Sequence, residues 1–72
     1  MRDNVNLYKF GQILKSIRLE RKLTQAELAE KVELSTNFIG MVERGLRNTT
    51  IDKMFLLMDA LEISPLQFFE RF

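Results

Sequence analysis

The chain has 72 residues, eleven basic and ten acidic side chains, and a formal net charge of +1. This length builds one small domain, whose core is marginal alone and is commonly reinforced by oligomerisation. Neither Cys nor His occurs, which excludes disulfides, thiolate or imidazole metal sites and histidine acid–base chemistry, and no apolar run approaches the roughly 20 residues of a membrane span.

Charge is uneven along the chain: residues 1–22 sum to +4, residues 23–50 to −1 and residues 51–72 to −2. Such a split is either ordinary solvated surface or one basic face on an otherwise neutral domain. The opening MRDNVNLYKFG has early acidic and polar residues and no long apolar stretch. It is therefore not a signal peptide, and a cytoplasmic protein is expected.

No segment alternates in the two-residue period of a strand. Apolar residues return at helical spacing instead, predicting an all-α fold. Leu7, Phe10, Ile13, Leu14 and Ile17 form the first stripe, capped by Asn6 and running to about Arg21. Thr24 with Glu27 three residues on makes a capping box for a second helix over about 25–32, with Ala26, Ala29 and Val32 on its period. Ser35 caps a third helix, about 36–44, that places Ile39 and Val42 inward and ends at Gly45. Thr49 or Thr50 caps a fourth, carrying Ile51, Met54, Phe55, Met58 and Leu61. Ser64, Pro65 and Gln67 open a fifth.

Only Glu33, Leu34 and Ser35 separate helices two and three, the spacing of a helix-turn-helix unit. Ala29 is small where the two helices cross, and Leu34 plugs the turn. The outward face of helix three collects Thr36, Asn37, Gly40, Met41 and Arg44. In a DNA-binding unit that face enters the major groove N-terminus first. Asn37 can then bond adenine twice, Thr36 and Met41 can meet thymine methyls, and Arg44, one turn further back, meets phosphate. Gly40 would let the helix backbone come close. The plainer alternative is an exposed helix whose Met41 covers the core.

The run LTQAELAEKVELSTNFIGMVERGLRN, followed by LLMDALEISPLQFF, resembles the Cro and phage-repressor-like helix-turn-helix regulators over residues 10–70. Within that group, ERGLRN-x-T-I and the later FFE are most similar to restriction–modification controller proteins. The resemblance implies a compact five-helix bundle of the lambda-repressor-like kind, a single domain over 1–72 that binds double-stranded operator DNA as a homodimer. It implies base reading by Thr36, Asn37, Met41 and Arg47, and phosphate contacts from Gln25, Ser35, Arg44 and Asn48. It also implies an ion pair between Arg18 and Glu43. Glu33 stands where the family often has Gly, at a turn position that favours positive φ. Thr49 replaces the family's usual Pro. Because Gly40 and Met41 have no polar side chain, specificity is expected to lean on DNA shape.

Reading only a few base pairs per helix argues for two copies across a two-fold axis. The C-terminal segment, about 63–72, holds the candidate interface: Leu66, Phe68 and Phe72 outward, Ile63 and Phe69 inward. Met54 and Met58 either border it or pack in the core. No catalytic constellation, cofactor, metal site, membrane segment or small-molecule pocket is legible. The competing reading is a phage-type repressor or antitoxin-like protein that acts mainly through protein contacts.

Overall fold

In the computed structural model, which describes residues 4–72, five helices follow one another: α1 Val5–Glu20, α2 Gln25–Val32, α3 Thr36–Glu43, α4 Ile51–Ala60 and α5 Pro65–Glu70. They enclose one core in a body of 35 × 26 × 21 Å. Arg2, counted in the basic surplus, lies outside the described residues, as do its two neighbours.

Local chemistry sets where each helix begins. The Thr24 hydroxyl accepts from Glu27 N while the Glu27 carboxylate accepts from Thr24 N, so two orphan donors are satisfied reciprocally. Ser64 and Gln67 repeat the arrangement, with Pro65 at the first helical position. Ser35 and Thr50 cap α3 and α4. Helix α1 differs from expectation. It starts two residues earlier than an Asn6 cap allows, with Asn4 at the cap position and no side-chain bond there.

The ends of α1 to α4 share a single device. Lys22, Glu33, Gly45 and Glu62 all take positive φ, between 57° and 72°. Beside each, two reversed hydrogen bonds close the last turn, as in Leu34 N to Ala29 O and Glu33 N to Glu30 O. This is the Schellman ending, and it turns an apolar residue back onto the helix it closes. Those residues are Leu23, Leu34 and Ile63, all packed on the core, whereas Leu46 in the same position after α3 stays 64% exposed. Glu33 thus adopts the left-handed turn that glycine usually occupies, and the turn keeps its shape.

Leu14, Ile17, Leu28, Ile39, Leu57, Leu61 and Phe68 are fully buried and form the centre of the core, with Ala29, Val42 and Met58 beside them. Leu28 and Leu57 fall outside the expected stripes. Ala26, Ile51 and Phe55, which lie on those stripes, are exposed. The C-terminal aromatics are reversed from expectation. Phe68 is wholly buried, its ring centroid 4.9 Å from that of Phe10, whereas Phe69 is 41% exposed. A six-residue helix has one inward face, and Phe10 of α1 selects Phe68 to fill it.

At the surface Arg71 makes a bidentate pair with Glu20 across 51 positions of sequence, at 2.7 and 2.9 Å. The hydrogen bonds from Arg71 hold the Glu20 carboxyl below its ordinary value. The folded pKa is the lower one, so this pair stabilises above the unfolded carboxylate pKa. Its contribution fades as pH falls through the folded value. An NMR titration should find the Glu20 midpoint below the usual glutamate range, and Arg71→Ala should restore it. An unchanged midpoint in that variant would remove the pair as the cause.

Candidate nucleic-acid interface

Helices α2 and α3 meet through the turn 33–35, with Ala29 buried at the crossing and Leu34 packed on the core. Ile39 and Val42 anchor α3 inward, which leaves its opposite side to solvent. Thr36 and Asn37 stand exposed in its first turn, and Ser35 beside them is exposed while capping through its hydroxyl. The Asn37 amide donates to the Met41 sulfur at 3.6 Å, a weak contact that lays the half-buried Met41 along the same face. Arg44, the C-cap, is exposed, as are Arg47 and Asn48 in the following loop. Thr36, Asn37, Met41 and Arg44 share the outward face of α3, Gln25 reaches that face beside Gly40, and Arg47 and Asn48 follow it in the loop.

Two details differ from expectation. Gly40 is buried, not bare: a Cβ there would lie 3.4 Å from both the Arg44 guanidinium and the Gln25 amide oxygen. Those two side chains pass over the glycine at distances that a Cβ would meet as ordinary van der Waals contact. Gln25 itself donates through Nε2 to Glu43 Oε1 at 3.0 Å, which commits one of its two amide hydrogens. The other remains for a ligand.

Beneath this face sits the Arg18–Glu43 pair, with bonds of 2.7 and 3.0 Å and both side chains buried. It is not the surface bridge that is worth about 1 kcal/mol or less. Arg18 also donates to Leu23 O, so its guanidinium joins the end of α1 to the end of α3. Glu43 holds both Arg18 and Gln25, which makes it the post on which the first residue of α2 is set. Gln12 reaches the same region, donating to Glu43 O at 3.4 Å.

The basic surplus of residues 1–22 does not form the reading face. Arg18 is neutralised internally, and Arg21 donates to the carbonyls of Leu61 and Glu62. Positive charge beside α3 comes from Arg44, Arg47 and Lys53 instead. Arg47 and Lys53 lie over the Phe38 ring at 5.6 and 5.0 Å from its centroid. The sequence reading missed Lys53. Its position three residues after the Thr50 cap, at the start of a helix returning to α3, was the available signal.

Leu66, Phe72 and Phe69 are exposed, whereas Phe68 belongs to the core and cannot serve an interface without unfolding α5. Phe55 and Leu56 on α4 add to the uncovered apolar surface. Among the described residues, no group of acidic side chains is arranged to hold a metal ion, and no helix is long and apolar enough to cross a membrane.

Residues 14–68 match the family model described as helix-turn-helix. Control protein C.BamHI of Bacillus amyloliquefaciens is 35% identical over 66 residues, covering 90% of this chain and 80% of that protein. The immunity repressor protein of Bacillus phage phi105 is 43% identical over 53 residues. That match covers 74% of this chain, which spans only 37% of the repressor's length. Among solved structures, the restriction–modification controller protein C.Esp1396I, as a tetramer in complex with its natural 35 base-pair operator, superposes with a TM-score of 0.82. Its identity is 44%, over 89% of this chain and 84% of that one.

Proposed function

Because this chain belongs to the helix-turn-helix family, among the restriction–modification controller proteins, we propose that it is a transcriptional regulator. In this reading it binds a two-fold symmetric operator as a homodimer and controls restriction–modification genes, its own included. The observation that carries the proposal is the outward face of α3, with Thr36, Asn37, Met41 and Arg44 on a helix locked by buried Ile39 and Val42 and with exposed Arg47 and Asn48 just beyond it.

Asn37 and Thr36 read base edges, Met41 adds apolar contact with a thymine methyl, and Arg47 reaches in from the loop. Gln25, Ser35, Arg44 and Asn48 hold phosphates, and the N-termini of α2 and α3 assist. Gln25 is aimed by Glu43. The dimer forms through Leu66 and Phe72, joined by Phe69 in place of Phe68. The assigned role is binding in the cytoplasm, with no catalysed reaction.

Selection of bound sequences from a random DNA pool, repeated at two salt concentrations, tests this reading. A symmetric motif should emerge, and its affinity should fall steeply with salt as counterions are released. Asn37→Ala should relax one position in each half-site by about 1–3 kcal/mol, whereas Gln25→Ala should weaken all sequences alike. Failure to recover any motif, even at low salt, would overturn the proposal and favour a protein-binding role for the same face.

A further inference from the structure

Phe38 has no part in the DNA contacts assigned above. It stands between exposed Asn37 and buried Ile39, half-buried itself and packed in part against the core. Its ring gathers two cations from elsewhere in the chain: the Arg47 guanidinium at 5.6 Å and the Lys53 ammonium at 5.0 Å from the centroid. Among the described residues neither cation is ion-paired, and neither side chain donates a hydrogen bond. Arg18, Arg21 and Arg71, by contrast, all commit N–H groups to protein acceptors.

We infer that Phe38 is a positioning residue for DNA binding, its ring holding Arg47 toward a base edge and Lys53 toward a backbone phosphate, an assignment that rests on the DNA-binding reading above. Arginine and lysine have among the largest rotamer freedoms of any side chains, and fixing them on binding costs affinity. A ring that already gathers them lowers that cost. Attraction to a π-face uses no hydrogen-bond donor, so every N–H of both groups stays available for DNA. An arginine held this way can still make two parallel bonds to guanine, whereas an ammonium acts on a phosphate as a point charge. Two like charges beside one ring also repel, which a nearby anion relieves.

The two cations depend on the ring unequally. Lys53 is the third residue of α4, where the Thr50 hydroxyl caps its backbone N–H. It is half-buried, so its stem is packed while its ammonium sits at the ring. Arg47 is exposed and projects from the loop after α3, with no helix of its own to hold it. Loss of the ring therefore falls first on what Arg47 reads, and less on the charge that Lys53 presents.

Side-chain NMR of the full chain tests the platform without any DNA. The Arg47 Hδ and Lys53 Hε protons should resonate upfield of their usual positions, displaced by the ring current, and Phe38→Leu should remove the displacement. Ordinary positions in the parent would overturn the inference. A second arm measures binding to a duplex carrying the selected motif, and to its single-base variants, across a salt series. Arg47→Gln identifies the position that Arg47 reads. Phe38→Leu should relax that same position and weaken binding about two- to fivefold, with the salt slope unchanged because both charges remain. Lys53→Gln should relax no position and lower the slope by about one. Phe38→Tyr, which keeps a ring, should match the parent. A residue that merely supports the fold would weaken all duplexes alike. That result, tighter binding by Phe38→Leu, or a slope untouched by Lys53→Gln would each overturn the assignment. A parent chain that binds no duplex even at low salt would instead sink the DNA-binding reading itself, a result distinct from sound binding that ignores Phe38→Leu.

Discussion

Glu43→Ala is expected to bring the domain close to unfolding at ordinary temperature. The change leaves the Arg18 guanidinium buried with one neutral acceptor, Leu23 O, and no opposite charge. Removing one member of a buried ion pair costs about 3–5 kcal/mol. Small domains hold about 5–15 kcal/mol in total, and a core drawn from so short a chain sits low in that range. Arg18→Ala should cost a similar amount, since it strands the carboxylate with Gln25 as its only side-chain partner. Replacing both residues by alanine should cost clearly less than the two single changes added together. Urea denaturation of all three variants reads this cycle. Simple additivity would mean that the pair is not coupled and that its burial has another cause. A change small enough to leave the fold intact should still weaken DNA binding, because Gln25 loses the carboxylate that aims it.

Gly11→Ala has the next largest expected effect, and its sign is opposite to what helix propensity suggests. In an open helix that change gains up to about 1 kcal/mol. Here the new methyl group would clash with the carbonyl oxygen of Val42 and lie 2.6 Å from that of Glu43. Both are backbone atoms, which do not rotate away as a side chain does. Overpacking typically costs about 1–3 kcal/mol, so steric cost exceeds propensity, and α1 must lift from the end of α3. Thermal melting should show a lowered midpoint, and the amide shifts of residues 42–45 should move most. A variant as stable as the parent would mean that α1 and α3 do not approach as closely as described.

The sequence carried the ends of helices better than their facing. Thr24 with Glu27, Ser35, and Ser64 with Gln67 were legible because a cap is local chemistry, complete within four residues. Facing depends on what arrives from elsewhere in the chain. Phe68 and Phe69 are adjacent aromatics in a six-residue helix, too short for periodicity to separate them. The choice belongs to Phe10, some sixty positions away. Gly40 is covered by the Arg44 side chain folding back and by Gln25 from another helix, neither of which the spacing of α3 reveals. On α2 and α4 the expected stripes are right at Ala29, Val32, Met58 and Leu61 and err only at their edges, where Leu28 and Leu57 belong to the core and Ala26, Ile51 and Phe55 do not. Asn4, which fits the cap preference as well as Asn6, stands at the α1 cap position. Glu43 lies fully buried because Arg18 meets its carboxylate, and position on a helix says nothing of that arginine.

The four left-handed helix endings bear on how readily this protein can evolve. At Gly45 the residue type is fixed twice over, since a Cβ would also lie 2.8 Å from the Tyr8 backbone. Lys22, Glu33 and Glu62 are exposed and meet only the conformational demand. The left-handed region costs an L-residue roughly 1–2 kcal/mol, and glycine's greater freedom when unfolded returns only about 0.4–1 of that. A glutamate codon becomes a glycine codon by one base change. Glu33 and Glu62 are therefore unused reserves of stability, each a single mutation away. Selection tolerates a destabilising change when such a reserve has been drawn first. New side chains at Asn37 or Met41, and with them new operators, are most accessible to lineages that have already acquired glycine at one of these two turns.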